Sequence, residues 1–150
     1  MTAVKSSKKK EAGEAKKAQY WYAVGRRKTS IAQVRVYLND QPGTGEDVVI
    51  NGRPFVEYFP ILSLQSNLVA PLKVVDGLGK FSVTVKVVGG GIKSQMEATR
   101  LGIARALILQ NEGAKKPMRA EKLLTRDSRI VERKKPGLKK ARKAPQWAKR

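Results

Sequence analysis

The sequence predicts a compact α+β domain followed by a long lysine- and arginine-rich tail. Three observations predict it. From Lys80 to Val88 the residues alternate strictly, with Phe81, Val83, Val85 and Val87 set against Lys80, Ser82, Thr84 and Lys86, the period of a half-buried strand. From Ile92 to Gln110 the apolar positions recur at i, i+3 and i+4, the period of a helix with one buried face. After Arg126 no apolar period continues, yet the cations do.

In chain order, residues 1–19 are expected to be a disordered basic arm, because Ala, Lys, Ser, Glu and Gly dominate and the only large apolar residues are Met1 and Val4. Tyr20 opens the folded domain, residues 20–125. Tyr20-Trp21-Tyr22-Ala23-Val24 is strand-like, and Gly25-Arg26-Arg27-Lys28 is expected as a basic turn. A second strand, Thr29 to Leu38, sets Ala32, Val34, Val36 and Leu38 against Gln33, Arg35 and Tyr37, which suggests a sheet with one buried face. Pro42, Gly43 and Gly45 make Asp40 to Glu46 a loop, and Val48 to Ile50 is a short strand ended by the Asn51-Gly52 turn signal. Pro54 suits a first helical position, so one or two turns are expected from Pro54 to Phe59, then a second short helix from Ser63 to Ala70 that Pro71 ends. Leu72 to Val75 should pair with Lys80 to Val88 as a hairpin around Asp76-Gly77-Leu78-Gly79. Ser94 with Glu97 makes a capping box for the long helix, whose solvent side Lys93, Glu97 and Arg100 mark. Asn111-Glu112-Gly113 ends it, a shorter helix fits Pro117 to Leu124, and Asp127 has the place of a helix stop. Residues 126–150 form the extended basic tail.

The formal net charge is +20, from 32 basic and 12 acidic residues, far beyond what solubility requires, so the surface calls for a polyanion. The excess is not uniform: residues 115–150 hold 15 of the cations and only 3 carboxylates. There is no cysteine and no histidine, which excludes disulfides, thiolate zinc sites, imidazole ligands and every Ser/His or Cys/His nucleophile. No carboxylate pair is placed for acid and base work either, so no enzymatic activity and no cofactor are expected. No apolar run approaches the roughly 20 residues that span a bilayer, and the N-terminus lacks the apolar core of a secretory signal. A soluble, intracellular protein with no membrane partner is expected.

Two stretches are the strongest candidates for contact with RNA. In the tail, Arg133, Lys134, Lys135, Lys139, Lys140, Arg142, Lys143, Lys149 and Arg150 make nine cations with no carboxylate among them, and Pro136-Gly137 and Ala144-Pro145 oppose a continuous helix. Counterion release from phosphates would supply the affinity, and Trp147 a ring that stacks on bases. The second stretch is the turn, where Arg26, Arg27 and Lys28 would hold phosphates. The triple glycine before Lys93-Ser94 invites a nucleotide-loop reading, but Ile92 stands where a Walker-type loop needs glycine and Val87 where it needs its first one. What remains is a glycine turn that lets the helix pack closely on the sheet, with Lys93 and the helix amides near an RNA phosphate.

Taken together, Ala23-Val24-Gly25-Arg26-Arg27-Lys28-Thr29-Ser30, Gly89-Gly90-Gly91-Ile92-Lys93-Ser94-Gln95 with the helix through Gly102-Ile103-Ala104-Arg105-Ala106-Leu107, and the whole of Arg133 to Arg150 resemble the small-subunit ribosomal protein nine family in its bacterial or organellar form. The resemblance runs from residue 20 to residue 150. It implies a mixed β-sheet packed against helices, like the second domain of small-subunit ribosomal protein five, and a place in the head of the small subunit beside neighbouring head proteins, with no homo-oligomer. It also implies a tail that threads between segments of small-subunit ribosomal RNA, so that Lys149 and Arg150 approach the peptidyl-site transfer RNA. The location implied is the bacterial cytoplasm or an organelle. Trp147 stands where the family carries Phe or Tyr and keeps a stacking group there.

Overall fold

Alternating segments build the centre of the sheet, and non-local pairing completes it. In the computed structural model, residues 19–39 and 48–149 are described. The expected arm up to residue 18, the Asp40 to Glu46 loop and Arg150 lie outside them. Strands β1 (Tyr20–Arg27), β2 (Ser30–Leu38), β3 (Val48–Ile50), β4 (Arg53–Pro54) and β5 (Phe81–Val88) form one sheet in the order β1-β2-β5-β3-β4. β3 runs parallel to β5 and every other pair is antiparallel, so the sheet is mixed, as the resemblance implies. Helices α1 (Phe55–Tyr58), α2 (Leu62–Val74), α3 (Ile92–Gln110) and α4 (Lys115–Ala120) complete the α+β fold.

One face of the sheet carries the core. Ala32, Val34 and Val36 of β2 and Val83, Val85 and Val87 of β5 are buried together with Leu64, Leu68 and Leu72 of α2 and Met96, Ala98, Ile103 and Leu107 of α3. The other face, with Tyr20, Tyr22, Gln33, Arg35, Thr84 and Lys86, is open to solvent. α3 lies across β1 and β2, and two glycines allow it: a Cβ on Gly25 would overlap the Ala98 carbonyl oxygen, and one on Gly102 would run into the Val34 side chain. Backbone atoms cannot yield as a flexible side chain does. Gly25→Ala is therefore expected to lower the unfolding free energy by about 3 kcal/mol, measured by urea denaturation, whereas Gly52→Ala, with open space around its Cβ, loses only the ease with which glycine adopts its positive φ. At the sheet's edge, the Arg105 guanidinium donates to the Val24 carbonyl at 2.9 Å.

Several expected elements are placed differently. Pro71 does not end its helix: Leu64, Leu68, Pro71 and Leu72 form a single buried stripe, so α2 runs on to Val74 and Leu72 to Val75 is no strand. Burial of that stripe outweighs the one backbone hydrogen bond that proline removes. The Asp76-Gly77 pair closes α2 instead of turning a hairpin. Asp76 is left-handed (φ 47), its N–H reaches the Lys73 carbonyl at 3.1 Å, and the Gly77 N–H reaches the Leu72 carbonyl at 2.9 Å, the two bonds of a Schellman cap. α4 ends in the same way, with Lys122 left-handed and the Leu123 N–H on the Met118 carbonyl at 3.0 Å. The expected helix to Leu124 is thus cut short, and Leu123 turns back into the core. Gly25, Arg26 and Arg27 belong to β1, leaving Lys28 and Thr29 as the turn. Ser94 is the third residue of α3, not its cap: Gly91 holds the cap position and its N–H donates to Ser94 Oγ at 3.0 Å.

Candidate nucleic-acid interface

The three adjacent cations of β1 and its turn meet different surroundings, because successive residues of a strand point to opposite faces. Arg27 is turned toward α3, its side chain only 11% exposed. There its Nε donates to Glu97 Oε2 at 2.6 Å, one terminal nitrogen meets Asp127 Oδ2 at 2.8 Å, and the other donates to the Arg129 carbonyl at 2.6 Å. One planar guanidinium thus joins β1, α3 and the root of the tail. Asp127 is no helix stop. Its carboxylate accepts from the Arg129 side chain and from the Arg129 N–H, and these bonds, reinforced by the charges of Arg129 and Arg27, hold it well below the usual carboxylate range.

Cations are ranged on both sides of this clasp. Lys28, Lys93 and Arg129 line a cleft of about 460 Å³ together with Gly91, Ile92 and Ser94 at the start of α3. On the other side Arg26 lines a narrower cleft with Arg100 and Arg126. Arg26, Lys28 and Lys93 are exposed, and none of them makes an ion pair among the described residues. The glycine turn keeps its shape through a polar chain: Gly91 N–H to Ser94 Oγ, Ser94 Oγ to Ser30 Oγ at 2.8 Å, and Ser30 Oγ to the Gly89 carbonyl at 3.1 Å. Arg100, Arg126 and Arg129 are additions to the residues singled out from the sequence. Arg126 and Arg129 carried a legible signal, since both lie in the basic C-terminal third, whereas nothing local marks the neighbourhood of Arg100 and Arg26.

Beyond Ala120 the described chain has no helix or strand. Arg133, Lys134, Lys135, Lys139, Lys140, Arg142, Lys143, Trp147 and Lys149 are all exposed, Trp147 to 80%. The tail doubles back once. Gly137 is left-handed (φ 78), the Lys139 N–H reaches the Lys143 carbonyl at 2.8 Å, and Glu132 takes Lys135 Nζ at 2.9 Å and Arg142 Nε at 2.8 Å. Lys135, and then Arg142, hold the Glu132 carboxyl below its ordinary value. Such exposed pairs contribute little to stability and are screened by salt, so phosphates can displace them. Among the described residues no group of His, Cys, Asp or Glu could hold a metal ion, and no helix is long and apolar enough to cross a membrane.

Fold and surface define a basic, single-sheet α+β protein whose free cations gather around a clamped tail root and along the tail itself. The family described as ribosomal protein S9/S16 matches residues 25–150. The chain is 54% identical over 128 residues to the small ribosomal subunit protein uS9 of Cytophaga hutchinsonii, covering 85% of this chain and 96% of that one. It is 47% identical over 133 residues to the protein of that name from Thermotoga neapolitana (87% and 96%), and 51% identical over 126 residues to that from Mesoplasma florum (84% and 92%). This chain belongs to the ribosomal protein S9/S16 family.

Proposed function

We propose that the protein is a structural constituent of the small ribosomal subunit in the bacterial cytoplasm, that it binds ribosomal RNA in the subunit head beside neighbouring proteins, and that its tail extends toward the peptidyl-site transfer RNA. The observation that carries this reading is the carboxylate-free run from Arg133 onward, whose cations are exposed as far as Lys149, rooted on the domain by the Arg27 clasp. Arg26, Lys28, Lys93 and the tail cations Arg133, Lys134, Lys135, Lys139, Lys140, Arg142 and Lys143 neutralise phosphates, and Trp147 stacks on a base. Arg27, whose donors are engaged within the chain, serves this binding by fixing where the tail leaves the domain. Lys149 and Arg150 contact transfer RNA. From Asp127 to Arg150 the chain can span at most roughly 80 Å when extended, so its tip acts far from the sheet.

Deleting Lys149 and Arg150 separates anchoring from function. Seven of the nine cations from Arg133 onward remain, and the truncated protein is expected to enter small subunits at normal occupancy while weakening peptidyl-site transfer RNA binding a few-fold. Filter binding with wild-type and truncated subunits at matched occupancy measures it. Equal affinities across a salt series would refute the role of the tip, and reduced occupancy would assign these two residues to assembly.

A further inference from the structure

We propose that the open face of the sheet is a second RNA-contact surface, built to take unpaired nucleobases where the tail takes phosphates. This rests on the reading of RNA as the partner, and it adds a surface that neither the turn nor the tail supplies.

The register sets the side chains of this face in rows. Tyr20 stands opposite Tyr37, Tyr22 opposite Arg35, and Arg35 in turn opposite Thr84, while Gln33 stands opposite Lys86. Tyr20 and Tyr22, on the edge strand β1, are 48% and 43% exposed. Two residues apart on one strand, they are about 7 Å from each other along it, so each ring offers a separate platform. The Tyr20 ring is steadied by Tyr37, with centroids 5.7 Å apart, and by the Arg35 guanidinium 5.4 Å from its centroid. Beside these rows a concavity of about 510 Å³ is lined by Gln33, Arg35, Asn51, Thr84 and Lys86.

Chemistry selects the occupant. The face carries Arg35 and Lys86 and, among the described strand residues, no carboxylate, so its sign suits a polyanion. Aromatic rings on a sheet stack on bases of any identity, arginine adds a planar cation, and amide and hydroxyl groups such as those of Gln33 and Thr84 bond base edges. A duplex hides its bases, which leaves a single-stranded or bulged segment.

The full-length protein is titrated, at raised salt to suppress the tail, with a uridine oligonucleotide and with an abasic oligonucleotide of equal length. The wild-type protein is expected to prefer the uridine strand, with amide shifts at Tyr22, Arg35 and Thr84 that the abasic strand does not produce. Tyr22→Ala should weaken uridine binding about fivefold or more and leave abasic binding unchanged, and Tyr22→Phe should behave as wild type. Equal affinity of the wild-type protein for both strands, or shifts confined to residues 126–149, overturns the inference while leaving tail binding in place. Shifts of the face with polyglutamate but not with uridine overturn it in favour of an acidic protein partner. If neither strand binds at any salt, the reading of the protein as RNA-binding falls together with this surface.

Discussion

Removing residues 133–150 is expected to flatten the salt dependence of RNA binding by roughly six to eight units of log–log slope. Nine cations leave with that segment, and each engaged one releases about 0.7 to 0.9 counterions on contact with RNA. The Glu132 pairs do not reduce this figure much, because Lys135 and Arg142 hold them at the surface, where phosphate competes on better terms. What is left should be the shallow dependence of the cations around the clasp. Fluorescence anisotropy with one RNA over a salt series measures the slope. A change near two would mean that most of the tail is idle on RNA.

Arg27→Ala is expected to lower the unfolding free energy by about 2 to 3 kcal/mol and to free the tail root, an effect unlike that of any exposed cation. The loss strands Glu97, only 25% exposed, without its partner and leaves the Arg129 carbonyl without its donor. Full burial would cost more, in the range of about 3 to 5 kcal/mol for a broken buried pair, but the partial exposure of the carboxylate lets water recover part of it. Arg27→Lys keeps the charge and loses the planar fork, so it should restore less than half. Urea denaturation reads the stability, and amide exchange of residues 125–129 reads the root. Unchanged stability would reduce the clasp to an incidental surface pair.

What local pattern can encode was legible. β2, β5 and α3 follow from alternation and helical spacing, with bounds close to those observed. Asn51-Gly52 turns as its chemistry requires, both residues having positive φ. The misses share a cause. Pro71 and Asp76-Gly77 each have two local meanings, stop or tolerated helix residue, hairpin turn or helix cap, and the buried stripe of α2 that decides between them depends on α3 and the sheet. The partners of β5 are strands β2 and β3, which no local rule selects over an adjacent segment. Arg27 illustrates the same limit in the site, since its partners lie 70 and 100 or more residues away in sequence. Strand alternation by itself puts Arg26 and Arg27 on opposite faces of β1.

β1 lies at the end of the sheet order, so it offers eight residues of backbone that could template a further strand. The guanidinium of Arg105 already occupies the Val24 carbonyl along that margin. A second copy of the chain arriving there would have to dislodge an arginine and bring another +20 of charge with it. Arg105 thus acts as a gatekeeper against β-aggregation, and neutralising it for the sake of solubility engineering would expose the edge it guards.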